Sequence, residues 1–452
     1  MAKYRDIIII GGGAAGLMAA TGAGRMARRM NEDGQRAGTS IMLLEKMPRP
    51  GRKIMITGKG RCNFTNVKDW DSFSDHIHPN ANLLKPAFFN LTPEDLTEMF
   101  ESAGLRTVIE RGDRAFPESH RSADVVDTLA RMAGEAGTDI RCGCQVVAIH
   151  MNNDSCATDK EKQGRFSVRC TDGSEYCCKC LIIATGGLSY PSSGSTGDGL
   201  VWAGELGLKI SATFPSLTAI VPAGYKVADG RGHIDRSVKM SARGSVLCGV
   251  QLKNTGLTVT VDGNPAEEEF GEIYFTDGGL EGPVGFKVSR KCVQALVNGA
   301  RVSVTIDLKP AVDSDDLDRR ISSLWQEIAS DRRSAGRRYS ERFRILLGKL
   351  LPRELVEGFI LWNPGVDHKT LAKTLKNWEM EISGYVGYER CVITAGGVSA
   401  KEINARTMEC RKIPGLYLAG EIIDLDADTG GYNLHTAFST GYLAGQSAAK
   451  SL

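Results

Sequence analysis

The sequence predicts an α/β protein in which both ends of the chain build one layer around a β-rich and then helical interior. Three observations carry this prediction. A β-rich run at 5–10 meets the glycine turn Gly11-Gly-Gly13-Ala-Ala-Gly16, and a helix rich in Ala, Met and Arg follows over 14–30. The C-terminal segment repeats that logic: a strand at 416–419, a turn at Gly420 and a small-residue helix over 433–451. Between them the composition changes at about residue 207 to short β-rich pieces, then over 313–377 to charged helices, then back to β.

The elements follow in order. Residues 41–44 form a second strand ending on Glu45, completing a β-α-β unit. Residues 93–103 and 122–136 read as helices, and 140–150 as a strand followed by a polar stretch at 152–163. Strands at 166–169 and 176–184, joined by Asp172-Gly173, complete a β-meander. Pieces at 219–222, 238–242, 246–252, 257–261, 272–275 and 302–308, with a turn at Asp262-Gly263-Asn264, suggest an antiparallel barrel or sandwich. Helices are expected from Ser314, over 346–358 and over 369–376, with β structure at 378–384 and 388–394. The domains read as 1–206 with 392–452, 207–311 with 377–391, and 312–376.

Composition narrows the function. The chain has 56 Lys+Arg against 54 Asp+Glu, a balance that argues against a dedicated nucleic-acid or membrane-surface protein. No apolar run approaches 18 residues and the start is too short for a signal-peptide core, so a cytoplasmic protein is expected. Cys177 and Cys180 form a C-x-x-C beside an apolar strand, where alternation sends them to opposite faces. They and the other cysteines read as free thiols packed as small hydrophobes, and no metal site is expected. The outlier is glycine, 52 among 452 residues, against a usual share of about 7%.

The glycines concentrate in motifs. Gly11 permits the tight turn, Gly13 lets backbone approach a pyrophosphate, and Gly16 brings the helix onto the strand. The helix N-terminus, with Ala14 and Ala15 in its first turn, offers free N–H groups to phosphate. Glu45, followed by Lys46, is the expected acceptor for the ribose hydroxyls. At the far end, Gly420-Glu421, Asp424 and Gly431-Tyr432-Asn433-Leu434 make a second strand–turn–helix with acidic residues. A site with two such sides suits FAD, extended between them. The helix starting near Asn433 is expected to aim at the flavin N1–O2 edge, which gains negative charge on reduction.

Further motifs carry a resemblance. They are Gly51-Arg-Lys-Ile-Met-Ile-Thr-Gly-Lys-Gly-Arg-Cys-Asn63 with Thr65-Asn66, Ala184-Thr-Gly-Gly-Leu-Ser-Tyr-Pro191, Gly194-Ser-Thr-Gly-Asp-Gly199, Thr394-Ala-Gly-Gly-Val398 and Asp428-Thr-Gly-Gly-Tyr-Asn-Leu434. Along essentially its whole length the chain resembles the HI0933-like (BaiN-like) family of FAD-dependent oxidoreductases. The resemblance implies a Rossmann-like FAD domain built from both chain ends, an inserted β-barrel-like domain and a small helical insert within it. It also implies a small organic substrate, either a conjugated ketone such as a steroid or bile-acid enone, or an amine. The chain departs from the family pattern at Asp277 and Glu281, where a histidine and a serine are usual. It departs again at Ala427 within Asp426-Ala-Asp428, and at His435-Thr436, where Gln-Trp is usual.

Arg52, Lys53 and Arg61 are expected to pair with pyrophosphate or an anionic substrate. Thr57, Gly58, Cys62 and Asn63 belong to the same cofactor segment, and Cys62 is a candidate charge-transfer thiolate. Thr185, Gly186 and Gly187 end a strand and should meet the cofactor through backbone. Val147 is expected to hold the adenine through its backbone by fold analogy. Tyr190, Tyr432 and His435 are the acid–base or substrate-orienting candidates. A reduced nicotinamide, NADH or NADPH, is the expected donor, visiting transiently because no second strand–GxGxxG–helix is present. The six arginines between Arg332 and Arg344 read as a solvated surface; the alternative is a flavin-containing RNA-binding or RNA-modifying protein. A flavin electron carrier acting on a protein partner is the third reading.

Overall fold

A computed structural model describes residues 2–34, 38–152, 164–228, 230–235, 237–332 and 336–452. Most of the polar stretch at 152–163, the middle of the 31–39 loop and residues 333–335 of the Arg332–Arg344 run lie outside the described residues. The chain forms two compact units, Met1–Thr213 with Ile393–Leu452, and Phe214–Val392.

The first unit is built on a mixed sheet. Strand β1 (Lys3–Ile10) leads into helix α1 (Ala14–Glu32), and strand β2 (Ile41–Glu45) follows. Next come β3 (Thr138–Cys142), β4 (Val146–Met151), β5 (Phe166–Cys170) and β6 (Glu175–Ile183), and near the end β7 (Leu416–Leu418) and helix α2 (Tyr432–Lys450). The sheet order is β3-β2-β1-β6-β5-β4, with β7 also on β6. Strands β3, β2, β1, β6 and β7 are parallel, whereas β6-β5-β4 form the antiparallel meander. Strand β6 serves both halves: Glu175–Cys178 pair with β5, and Leu181–Ile183 pair with β7. Ile7–Ile10 and Leu181–Ile183 are buried on both faces, as continuous apolar runs in parallel sheets must be. The strand expected over 140–150 is two strands, because Gly143 at φ 70° turns the chain between them. The described cysteines are all free thiols; Cys177, Cys178 and Cys180 are buried on β6.

Helices α1 and α2 pack through glycine. A Cβ on Gly441 would lie 2.2 Å from the Ala15 carbonyl oxygen, and one on Gly445 would lie 2.0 Å from that of Ala19. The two helices therefore touch backbone to backbone.

The second unit contains a closed barrel. Its strands run Ile220–Pro222, Leu280–Glu281, Asn264–Phe275, Gln251–Val261, Val302–Asp307 and Trp378–Tyr385, and the last pairs with the first. Asp262 and Gly263, both at positive φ, make the hairpin turn expected there. Two expectations need correction. Residues 238–242 form no strand, and Ala242–Leu247 is a short helix capped by Ser241. Gly282–Val297 is a helix that the β-rich reading missed, although Pro283 at its first turn marks the start. In the helical segment, the single helix expected over 346–358 is two, Tyr339–Leu350 and Arg353–Trp362. Pro352 lacks the N–H and biases Leu351 to extended backbone. Asp313, not Ser314, caps Ser314–Ser330 by accepting from Asp316 N. Leu317, Ile321, Phe343 and Phe359 share one buried core with Val304, Trp378 and Met380 of the barrel. The departures Asp277 and Glu281 both face Arg390, at 2.7 and 3.5 Å. Each added negative charge thus has a guanidinium beside it.

Candidate cofactor and active site

All residues of the site described here lie in the first unit. Gly11 has φ 102°, and a Cβ there would lie 2.5 Å from the Ala184 carbonyl oxygen, so the β1–α1 turn touches the end of β6. A Cβ on Gly16 would lie 1.8 Å from Gly11 O. Gly13 differs: its Cβ would meet nothing within 4 Å. It is the N-cap of α1, with extended backbone, no side-chain cap and no acidic residue in the first turn. Ala15 is buried and Ala14 half-buried beneath that open end. The free N–H groups of α1 therefore face a space that bare backbone leaves clear, which is what a diphosphate requires.

Glu45 ends β2 with its carboxylate accepting from Gly12 N at 2.6 Å and Met47 N at 2.7 Å. Burial pushes its pKa up, and these bonds oppose the shift. Lys46 bonds Asp198 at 2.7 Å and Thr196 at 2.5 Å, tying the 194–199 glycine segment to β2.

A second set joins three segments. Lys53 Nζ donates to Glu421 Oε2 at 2.5 Å and to Ser189 Oγ. Glu421 Oε1 accepts from Ser189 Oγ and, at 2.8 Å, from Thr394 N. Thr394 Oγ1 accepts from Leu188 N and Ser189 N. Gly187 has to be glycine here, since its Cβ would lie 2.5 Å from Thr394 Oγ1. Lys53, expected on an anionic ligand, is thus paired with Glu421, an acidic residue of the second strand–turn–helix. Ser189 and Thr394 were not singled out in the sequence; both lie in quoted motifs, but nothing there shows that they meet.

The other candidates fall as follows. Arg61 pairs with Glu110 and lies 4.4 Å over the Phe116 ring, so its charge is already partnered. Arg52 is exposed. Thr57 donates to Ile54 O, and Gly58 at φ 56° turns the segment. Cys62 is fully buried, and burial pushes its thiol up to about 12, so the charge-transfer thiolate is corrected to a packed thiol. Asn63 Oδ1 is buried with no hydrogen-bond partner among the described residues. Val147 is exposed at a bulge in β4. Thr185 is half-buried, and Gly186 and Gly420 have φ 75° and 76°. Asp424 is half-buried, its N–H on Val398 O. Gly431, at φ 101°, approaches the Thr65 carbonyl so closely that a Cβ would lie 2.5 Å away. Asn433 grips the preceding loop, its side chain on Ala427 N and O at 2.9 and 2.7 Å, and Leu434 packs against the core.

The acid–base candidates divide. Tyr190 is half-buried, in left-handed backbone at φ 52°. Tyr432 is buried edge-on against Phe73, and burial raises its hydroxyl to about 12. His435 is fully buried between Phe73 and Phe88, its Nδ1 2.9 Å from Thr65 Oγ1. Burial lowers its pKa to about 3, so it stays neutral near pH 7 and lacks the surface position a helix N-terminus suggests. The unfolded chain protonates this residue near pH 6.5, so its neutral burial contributes stability above that pH and loses it below. The loss reaches ~1.4 kcal/mol per pH unit. His435→Gln is therefore expected to flatten the decline of the urea midpoint from about pH 6.5 to 4. A decline as steep as in the parent would show that His435 does not drive it.

The residues present fit an extended dinucleotide on three grounds: the clear space at Gly13, the uncapped α1 and the orphaned Asn63 Oδ1. Residues 5–447 match the family model described as HI0933-like protein Rossmann domain. A 3-dehydro-bile acid delta(4,6)-reductase of Clostridium scindens is 29% identical, over 98% of each chain. Ribosomal RNA dihydrouridine synthases of Escherichia coli and Haemophilus influenzae are 28% and 26% identical, over 99% and 98% of each chain. Fold and family together define a Rossmann-type flavoprotein oxidoreductase. The chain belongs to the HI0933-like family of FAD-dependent oxidoreductases. Among the described residues no helix is long and apolar enough to cross a membrane.

Proposed function

We propose that the protein reduces a carbon–carbon double bond conjugated to a carbonyl, with a reduced nicotinamide as donor. The observation that carries this reading is likeness over the whole chain to relatives whose named reactions share that bond. A delta(4,6) unsaturation next to a 3-oxo group and the C5=C6 bond of uracil are both α,β-unsaturated carbonyls. Bound FAD supplies hydride transfer. The chain's own part begins at α1, whose open N-terminus and Gly13 would hold the diphosphate, with Glu45 at the ribose. Gly186, Gly187, Gly420 and Gly431 present bare backbone along the remaining length. The N-terminus of α2, with no side-chain cap and no acidic residue in its first turn, favours negative charge nearby.

A small substrate is favoured over RNA by the state of the arginine run. Three of its five described members are engaged: Arg338 pairs with Glu341, Arg344 pairs with Glu357, and Arg342 lies over Trp325, while Arg332 and Arg337 are exposed. Anaerobic reduction with NADH or NADPH followed by mixing with acceptors tests the reading. Conjugated ketones should reoxidise the protein, and saturated ketones should not. Reduction of the oxidised protein by amines alone, or reoxidation only by a protein partner or uridine-containing RNA, would replace this reading with the corresponding alternative.

A further inference from the structure

Tyr432 and His435 lie in the core, and of the three acid–base candidates only Tyr190 keeps exposed surface; a second source for the proton of the proposed reduction is present. The structure gathers one at the start of α2 from residues some 350 positions apart in sequence. The Asp428 carboxylate, whose side chain is 10% exposed, meets His76 Nδ1 at 2.8 Å and His78 Nε2 at 3.4 Å. The arrangement is fixed from every side. Asp428 N donates to His76 O, Ile77–His78 pair with Asp426–Ala427, and Asn433 holds the Ala427 and Asp428 backbone. The His76 ring stacks on Tyr432 at 4.3 Å, and its side chain keeps 24% of its surface exposed. Lys68 Nζ lies 3.4 Å from its Nε2. Among the described residues no group of three or more His, Cys, Asp or Glu is placed to hold a metal ion. A carboxylate on one imidazole nitrogen fixes the tautomer and the orientation of the ring.

We propose that His76, oriented by Asp428, delivers the proton of the reduction. This rests on the reaction proposed above. The hydride equivalent, originating in reduced nicotinamide, adds to the β-carbon, and the double-bond electron pair moves to the α-carbon. That carbon takes the Nε2 proton of the doubly protonated His76 ring, which leaves the neutral Nδ1–H imidazole held by Asp428, and Nε2 regains a proton from water at the exposed edge of the ring. His76 rather than His78 is chosen for its shorter bond to Asp428 and its stacked, fixed ring.

The test compares the parent protein with His76→Gln and Asp428→Asn. Both variants should keep parental FAD content and rate of anaerobic reduction by nicotinamide. Their reoxidation by a conjugated ketone should slow by roughly 100-fold or more, the usual span for a lost general acid. Independently of turnover, 15N NMR of the histidine side chains should show His76 in the Nδ1–H tautomer, and that preference should be lost in Asp428→Asn. Reoxidation at the parental rate in His76→Gln, or an Nε2–H tautomer in the parent, would overturn the assignment. A parent protein that no conjugated carbonyl reoxidises would overturn the reaction itself, and this assignment with it.

Discussion

Gly13→Val is expected to leave the protein folded and nearly empty of FAD. The added side chain enters clear space, because nothing in the protein lies within 4 Å of the new Cβ. Gly13 also has negative φ, so valine meets no backbone penalty. The cost falls on the ligand alone, since the side chain fills the approach to the α1 N–H groups. Losing two charge-assisted hydrogen bonds to a diphosphate costs about 3 kcal/mol or more, roughly 100-fold in affinity. Three residues on, the result should reverse. Gly16→Ala drives a methyl to 1.8 Å from the Gly11 carbonyl, and backbone must move. That is overpacking at or beyond the top of the usual range of roughly 1–3 kcal/mol. Released-FAD quantification with circular dichroism on both variants separates the outcomes. Full FAD content in Gly13→Val would show that the diphosphate lies elsewhere.

Glu421→Gln should lower stability and FAD binding together. The carboxylate holds Lys53, Ser189 and Thr394 N at once, and its side chain is 11% exposed. Removing its charge strands the Lys53 ammonium, 22% exposed, against one hydroxyl. Breaking a fully buried pair costs about 3–5 kcal/mol. Partial exposure reduces this to about 2 kcal/mol, several degrees in thermal midpoint. Adding Lys53→Met should restore part of the loss, because the stranded charge goes too. A midpoint within a degree of the parent would mean that the pair contributes nothing.

The fold was legible wherever local pattern and backbone demand coincide. The β1–α1 turn, the meander and the Asp262-Gly263 hairpin each announce themselves in a few adjacent residues. The helix at Gly282–Val297 was not legible, because its glycines and valines read as strand and turn until tertiary packing decides. The site divides in the same way. The glycines at 11, 16, 430 and 431 declare close approach, since a Cβ at each would press on a neighbour. Which charged group meets which is a matter of three-dimensional neighbours. Hence Lys53 and Arg61 read as ligand-binding cations, although Glu421 and Glu110 already hold them. Asp428 and His76 could not be linked at all without the pairing of Ile77–His78 with Asp426–Ala427.

The glycine seam between α1 and α2 bears on how the protein is made. Half of that seam, with Gly441 and Gly445, leaves the ribosome only after residues 214–392 have been made, and so does β7. The nascent amino-terminal half must therefore wait, its parallel sheet lacking a strand and its first helix lacking a partner, while residues 214–392 are translated. The interior unit has all its strands in one continuous stretch and is free to close first. Termination within α2 would then injure the oldest part of the chain rather than the newest.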